Sequence, residues 1–309
     1  MHPVIVIAGP TASGKTAQAV YTAKKLNGEV VSADSMQIYK YMNIGTAKPT
    51  ENEMDGVRHH MIDVVTPDEP FNVAMYKEMA ERCIRDILDR GKLPIVAGGT
   101  GLYINSLIYN IRFSETICDE SFRSRMRKLA DEEGPEALHE MLKKVDPESA
   151  ERIHFNNVKR VIRALEVYEY TGKPISWHNE QSRSVPPGYR YIVFVLNMDR
   201  EQLYRRIDER VDKMIEDGLI SEVKSLLERG MSPGSIALQG LGYKEIIAYL
   251  KNEMTLDEAI HILKRDTRHY AKRQLTWFRS VKDAVWIEGG SGNLEKNTKI
   301  IKEYLETCI

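Results

Sequence analysis

Cysteine is scarce in this chain: Cys83, Cys118 and Cys308 are the only three in 309 residues, far apart and with no CxxC pair. That spacing excludes a zinc site of the usual kind and predicts reduced thiols. Net charge is almost absent too, since 44 Lys and Arg stand against 45 Asp and Glu, leaving −1. A protein that coats nucleic acid indiscriminately is excluded, so any such contact must come from local basic clusters. No apolar run approaches the roughly 20 residues of a membrane-spanning helix, and there is no internal repeat or low-complexity tract. The first motif begins at residue 9, which leaves no room for a signal peptide and makes a cytoplasmic protein the expectation. With 42% hydrophobic and 29% charged residues, the chain has an ordinary soluble mixture, enough for one large or two modest domains.

What is present is a phosphate loop. Val4 to Ala8 is an apolar run, Gly9-Pro10-Thr11-Ala12-Ser13-Gly14-Lys15-Thr16 follows it, and Ala17 to Val20 continues without a breaker. This is strand, glycine loop, helix, and it matches GxxxxGK[ST]. The loop amides and the positive end of the new helix suit phosphate oxygens. Lys15 would reach the outer phosphate, and Thr16 would offer its hydroxyl to a magnesium ion.

Glu29 to Ala33 reads as a second strand ending at Asp34. The segment Asn72 to Arg90 carries Met75, Met79, Cys83 and Ile87 at helical spacing, and Leu93 to Ala97 is a third strand running into Gly98-Gly99-Thr100-Gly101. Two strand-to-helix turns and an Asp-bearing strand end converge on one edge, which predicts an α/β fold with a P-loop and a doubly wound parallel sheet. From about Ser114 the pattern is helical only, with Pro135 and Pro147 as first-turn prolines, Asp146 and Asn156 or Asn157 as caps, and Gly172 as a stop. The turn-rich stretch Gln181 to Gly188 closes it, and Tyr191 to Leu196 resumes the sheet. Residues 115–184 are therefore expected to be an all-helical insertion domain in a core formed by 1–114 and 185–309. Further helices are expected over Arg200–Glu228, Tyr243–Lys251 and Leu256 to about Ser280.

Asp34, in a cleft beside the phosphate loop if their strands are neighbours, can accept a proton or hold metal-bound water, though a strand-end Asp also serves as a cap. Thr100 sits in a glycine-flanked turn that allows close approach to a ligand, or simply forms the turn. Arg206 and Arg210 share a helix face and could neutralise a diphosphate, unless with Asp208, Glu209 and Asp212 they form a solvated face. The final helix carries Lys264, Arg265, Arg268, His269, Lys272, Arg273 and Arg279 among aromatic residues, opposed only by Asp266, which favours a nucleic-acid backbone. His59-His60 lacks ligand-like companions and reads as structural or substrate-side. These residues alone also admit an ATP-dependent kinase, with Asp63 or Asp199 holding magnesium, or a nucleotide-driven RNA-binding switch. Against both, the third strand ends in glycines rather than in an acidic residue.

Six ordered motifs spanning nearly the whole chain decide among these. Gly9 to Thr16, Asp34 to Tyr39 (DSMQIY), Gly45 to Pro49 (GTAKP), Gly98 to Tyr103 (GGTGLY), Leu241-Gly242-Tyr243 and Lys272 to Arg279 (KRQLTWFR) together resemble the bacterial tRNA dimethylallyltransferases. The resemblance implies transfer of a dimethylallyl group from dimethylallyl diphosphate to the exocyclic amine of the adenine 3′ of the anticodon, with magnesium. It implies Asp34 as general base, Thr100 near the reacting amine and Lys15 on the leaving group. Gly9, Pro10, Thr11, Ala12, Ser13, Gly14, Lys15, Thr16, Arg206 and Arg210 would hold the diphosphate. Contacts with tRNA would come from Asp34, Ser35, Met36, Gln37 and Thr100. The insertion would add Arg123, Lys159, Arg160 and Arg163 and grip the anticodon stem-loop. Gly242, Tyr243, Lys272, Arg273, Gln274, Trp277 and Arg279 would complete the surface. A monomer is expected, without the zinc finger of the eukaryotic members because Cys308 stands alone.

Overall fold

Strands β1 (Pro3–Ala8), β2 (Gly28–Ser32), β3 (His59–His60), β4 (Leu93–Gly98), β5 (Arg190–Asn197) and β6 (Val285–Glu288) form a wholly parallel sheet in the order β3-β2-β4-β1-β5-β6. They come from a computed structural model that describes residues 1–111, 119–183 and 185–307. A parallel sheet needs crossover helices on both faces, and the alternation within its strands shows it has them. Ile5, Ile7, Val30, Ile95 and Phe194 point to one face and pack with Ala19, Ala23 and Ile301 of the helices Lys15–Leu26 and Leu294–Glu306. Val4, Val6, Val31, Val96, Val193 and Val195 point to the other, where Tyr76, Ile84, Ile104, Val223 and Ile246 cover them.

By their internal contacts the residues fall into two compact units, Met1–Ile108 with Gly188–Ile309, and Tyr109–Pro187. The first carries the sheet. The second is built on the helices Glu120–Glu133, Pro135–Val145, Pro147–Arg152, Val158–Thr171 and Ile175–Arg183, around a core of Phe122, Leu138, Leu142, Val161 and Leu165. Pro135 and Pro147 open their helices, the Asp146 side chain accepts the Ser149 N–H, and the Asn157 side chain makes no capping bond. The expected domain limits at 114–115 and 184, and Cys118 and Cys308, lie outside the described residues.

Three expectations need correction. β4 lies between β1 and β2, so the strands bearing the phosphate loop and Asp34 are not neighbours. The helix Val73–Asp89 buries Tyr76, Ala80, Ile84 and Ile87 and leaves Met75 exposed, a face turned by about one residue from the Met75-Met79-Cys83 stripe. A buried tyrosine stacked on Tyr103 at 3.9 Å outweighs the methionine pattern. The helix expected over Arg200–Glu228 divides into Arg200–Glu216 and Leu219–Glu228. The pair His59-His60 forms an edge strand on β2, which agrees with the structural reading of these histidines.

At the amino end of β2, Glu29 is only 2% exposed and binds His60 at 2.8 Å, Lys92 at 2.9 Å and Arg90 through both oxygens at 2.5 and 2.7 Å. The Arg90 guanidinium, ahead of the opposing effect of burial, holds its carboxyl well below the usual carboxylate range. A group depressed in this way contributes stability that is complete above its unfolded pKa, about 4.5, and is lost as pH falls below that value. Glu29→Gln should therefore lose about 2 kcal/mol at pH 7 and flatten the acid limb of the stability curve, measured by urea unfolding between pH 3 and 7.

Candidate functional site

In a parallel sheet the carboxyl ends of all strands share one edge, so the loops after β1, β2 and β4 meet there despite their distance in sequence. They open onto a cavity of about 1040 Å³ lined by Thr11, Lys15, Thr16, Asp34, Gln37, the loop Asn43 to Thr50, Arg206, Arg210, Gly240 to Tyr243, Tyr270, Arg273 and Gln274, among others.

The phosphate loop is braced from within and from outside. Ser13 donates its backbone N–H to the Pro10 carbonyl, and the Gly290 N–H reaches the Ser13 carbonyl at 3.1 Å. Behind it, Gln18 bonds Thr22, Thr298 and the Leu294 carbonyl in a buried polar seam that fixes the loop's helix against Leu294–Glu306. Lys15 Nζ donates to the Pro10 carbonyl at 2.7 Å. Burial lowers its pKa to about 7, with Asp34 opposing and Arg210 reinforcing the shift. An anion placed there would restore the full charge.

The Asp34 carboxylate accepts the backbone N–H of Met36 at 2.9 Å and of Gln37 at 3.4 Å, so the residue caps its own turn while facing the cavity. Both sequence alternatives for Asp34, cap and cavity carboxylate, therefore describe the same side chain. The Thr100 hydroxyl accepts the Ser35 N–H at 2.9 Å and lies 3.3 Å from the Ser35 hydroxyl, which joins the β4 turn to the Asp34 turn.

Gln274 is the brace between loops. It is buried, accepts the Thr11 N–H at 2.8 Å and donates to the Gly99 carbonyl at 2.9 Å. It also lines the cavity, and its bond to the phosphate loop spans 263 positions of sequence. Trp277 likewise covers Gly101, where an added Cβ would come within 2.4 Å of the indole. Tyr270, not chosen from the sequence, lines the cavity and has its phenol pushed up to about 12, chiefly by burial.

Arg206 and Arg210 both reach the cavity because the acidic residues of their helix face elsewhere. Asp208 pairs with Arg268 at 2.6 Å and Asp212 with Lys264 at 2.6 Å, so the solvated-face alternative fails. Burial first, then the neighbouring Arg206, lowers the Arg210 pKa. The same pairs correct the view that only Asp266 opposes the final helix's charge. Lys272 and Arg279 are exposed, while Arg273 faces the cavity.

The loop Asn43–Lys48 forms another wall. Glu222, which nothing in the sequence marked, accepts the N–H of Asn43, Ile44 and Gly45 and the Tyr243 hydroxyl. Tyr243 and Gly242 beside it are buried and line the cavity, and the Tyr243 hydroxyl anchors this wall through Glu222. In the helical unit, Arg123 and Arg163 pair with the buried Glu166, whereas Lys159 and Arg160 are exposed. Asp63 pairs with Lys48 and Asp199 caps the helix Arg200–Glu216, and neither carboxylate lines the cavity.

Among the described residues no cluster of three or more His, Cys, Asp or Glu could hold a metal ion by itself. The Thr16 hydroxyl and the Asp34 carboxylate both line the cavity, with Glu53 and Asp217 as further carboxylates on its wall. That donor set fits magnesium, which takes its remaining ligands from water and phosphate.

The family described as IPP transferase matches residues 37–281 of this chain. A tRNA dimethylallyltransferase of Acetivibrio thermocellus is 59% identical over 99% of this chain and 98% of its own length, and one of Carboxydothermus hydrogenoformans is 53% identical over 97% and 96%. The crystal structure of a tRNA isopentenylpyrophosphate transferase from Bacillus halodurans superposes with a TM-score of 0.74 at 43% identity, covering 99% and 98% of the two chains. A eukaryotic dimethylallyltransferase, captured acting on tRNA, gives 0.82 at 30% identity over 99% of this chain and 80% of its own.

The lowered Lys15 pKa has a measurable consequence. At pH 8 the empty site holds a largely neutral amine, and binding an anion draws a proton onto it. Calorimetry of inorganic diphosphate in two buffers of different ionisation enthalpy should show more proton uptake for the wild type than for Lys15→Met. Equal uptake would place Lys15 away from the anion.

Proposed function

The chain belongs to the tRNA dimethylallyltransferase (IPP transferase) family, and from that membership we propose that it moves a dimethylallyl group from dimethylallyl diphosphate to the exocyclic amine of the adenine 3′-adjacent to the anticodon, releasing diphosphate. The observation that carries the reading is one cavity that joins the phosphate loop, Arg206 and Arg210 with the Asp34 carboxylate.

The chemistry matches those groups. A purine amine is a poor nucleophile because its lone pair is conjugated with the ring, so the allylic C–O bond must be loosened and the proton of the amine taken away. The loop amides, Lys15, Arg206 and Arg210 stabilise the departing diphosphate, whose charge grows as the C–O bond breaks. As the new C–N bond forms, Asp34 accepts the proton that the amine sheds. Magnesium, held by Thr16 and the diphosphate, would neutralise part of the leaving charge. Thr100, tied to the Asp34 turn through Ser35, fixes the carboxylate relative to the amine.

The acceptor adenine lies within an anticodon loop, so it must leave its stack to enter the cavity, at a cost of a few kcal/mol. Backbone phosphate contacts offset that cost. Exposed Lys159, Arg160, Lys272 and Arg279 suit this role, and Ser35, Met36, Gln37 and Arg273 lie where an inserted base would meet them. Among the described residues no helix is long and apolar enough to cross a membrane. We take the cytoplasm, where unmodified tRNA is available, as the site of action.

The test supplies magnesium, unmodified tRNA and either dimethylallyl diphosphate or ATP. Only the prenyl diphosphate should give a tRNA heavier by one five-carbon unit, together with free diphosphate. Phosphorylation of an acceptor with ATP, and no prenylated tRNA, would favour a kinase. Asp34→Ala should lower kcat by about 100-fold or more while leaving tRNA affinity within severalfold, because a proton acceptor acts chiefly in the transition state.

A further inference from the structure

The loop Asn43–Lys48 is held in a conformation that its own residues resist. Ala47 has φ +47°, and the loop is entered through Tyr41 at φ +68°, a backbone region that bulky L-residues rarely adopt. Strain of this kind, on the order of 1–3 kcal/mol per residue, persists only where surrounding contacts over-determine it. Backbone bonds within the loop and the Lys48 ammonium close part of it, and four further bonds converge on one carboxylate. Glu222 Oε2 accepts the Asn43 and Ile44 N–H groups, both at 2.8 Å, and Oε1 accepts the Gly45 N–H at 3.1 Å and the Tyr243 O–H at 2.7 Å. Gly45 is required at the centre, because an added Cβ would lie 2.6 Å from the Tyr243 ring.

The loop is connected to the reacting carboxylate by Gln37. Its side-chain amide donates to the Ala47 carbonyl at 3.2 Å and the Thr46 carbonyl at 3.4 Å, and its backbone N–H reaches Asp34. The diphosphate end is braced separately, by Gln274 and the phosphate loop itself. Movement of the loop would therefore disturb the Asp34 side of the cavity and spare the diphosphate side.

We propose that Glu222 is a positioning residue for the acceptor half of the reaction: it clamps the strained Asn43–Lys48 loop as the wall against which the acceptor base is set beside Asp34. The role rests on the prenyl-transfer reading above. In Glu222→Gln one oxygen becomes an amide nitrogen that cannot accept, so one pair of donors, Asn43 with Ile44 or Gly45 with Tyr243, loses its partner.

The experiment measures three quantities on the full-length Glu222→Gln protein. Hydrogen exchange at the Asn43, Ile44 and Gly45 amides should quicken. Turnover of tRNA, as kcat/KM, should fall roughly tenfold or more, as expected when charge-assisted bonds to a cavity wall are lost. The Kd for dimethylallyl diphosphate, taken by calorimetry without tRNA, should stay within about twofold, because its contacts are untouched. Tyr243→Phe, which keeps the ring against Gly45 but removes one donor, should show the same pattern more weakly and guards against a misfolded glutamine variant. Unchanged tRNA turnover despite faster exchange would overturn the role, and so would a parallel loss of diphosphate affinity and turnover, which marks a scaffold residue. A wild type that prenylates no tRNA would overturn the reaction itself, and this role with it.

Discussion

Lys15 and Arg210 are cationic groups drawn out of water into one cavity, near Asp34 and with Arg206 close by, and much of the structure serves to keep them there without a bound anion. Burial lowers the pKa of both, and each is lowered further by a neighbouring arginine. Cations crowded in this way cost the empty protein stability and become favourable only when negative charge arrives between them. A leaving group whose charge increases during the reaction benefits more than a substrate whose charge is constant, and that difference is the basis of catalysis.

The surrounding contacts prevent the cations from finding partners elsewhere. Asp208 and Asp212, carboxylates of the helix that bears Arg206 and Arg210, are occupied by Arg268 and Lys264 of the helix Leu256–Arg279. Lys15 folds back onto a carbonyl of its own loop rather than onto a carboxylate. Gln274 holds that loop to the β4 turn, so the phosphate site, the Thr100 hydroxyl and the Asp34 turn form one connected edge. Glu29, the other strongly engaged carboxylate of the sheet, sits at the opposite end of β2 and steadies the strand that ends at Asp34.

Two kinds of residue in the recognised motifs proved to do different work. Lys15, Thr16 and Asp34 present charged or polar groups to the cavity, whereas Gln274, Trp277 and Tyr243, two of them also on its wall, hold its loops against one another. Motif membership does not separate them. A side chain that braces a loop and one that touches a ligand can sit in the same short stretch of a helix, as Gln274 and Arg273 do.

The sequence by itself determined the strand-loop-helix of Gly9 to Thr16, the β4 turn at Gly98 to Gly101, the helix-opening Pro135 and Pro147 and the Asp-bearing end of β2, because each depends on backbone preferences and periodicity within a few residues. Tertiary structure decided the rest. It inserted β4 between β1 and β2, turned the helix Val73–Asp89 so that Tyr76 is buried, divided the helix after Arg200 and set Glu222 against a loop 177 to 179 positions away. It also separated the arginines of one helix from the aspartates beside them, by facing Asp208 and Asp212 towards the long carboxyl-terminal helix. Charge pairing and hydrogen bonding over such separations depend on which faces the packed core brings together. A local pattern carries no record of that.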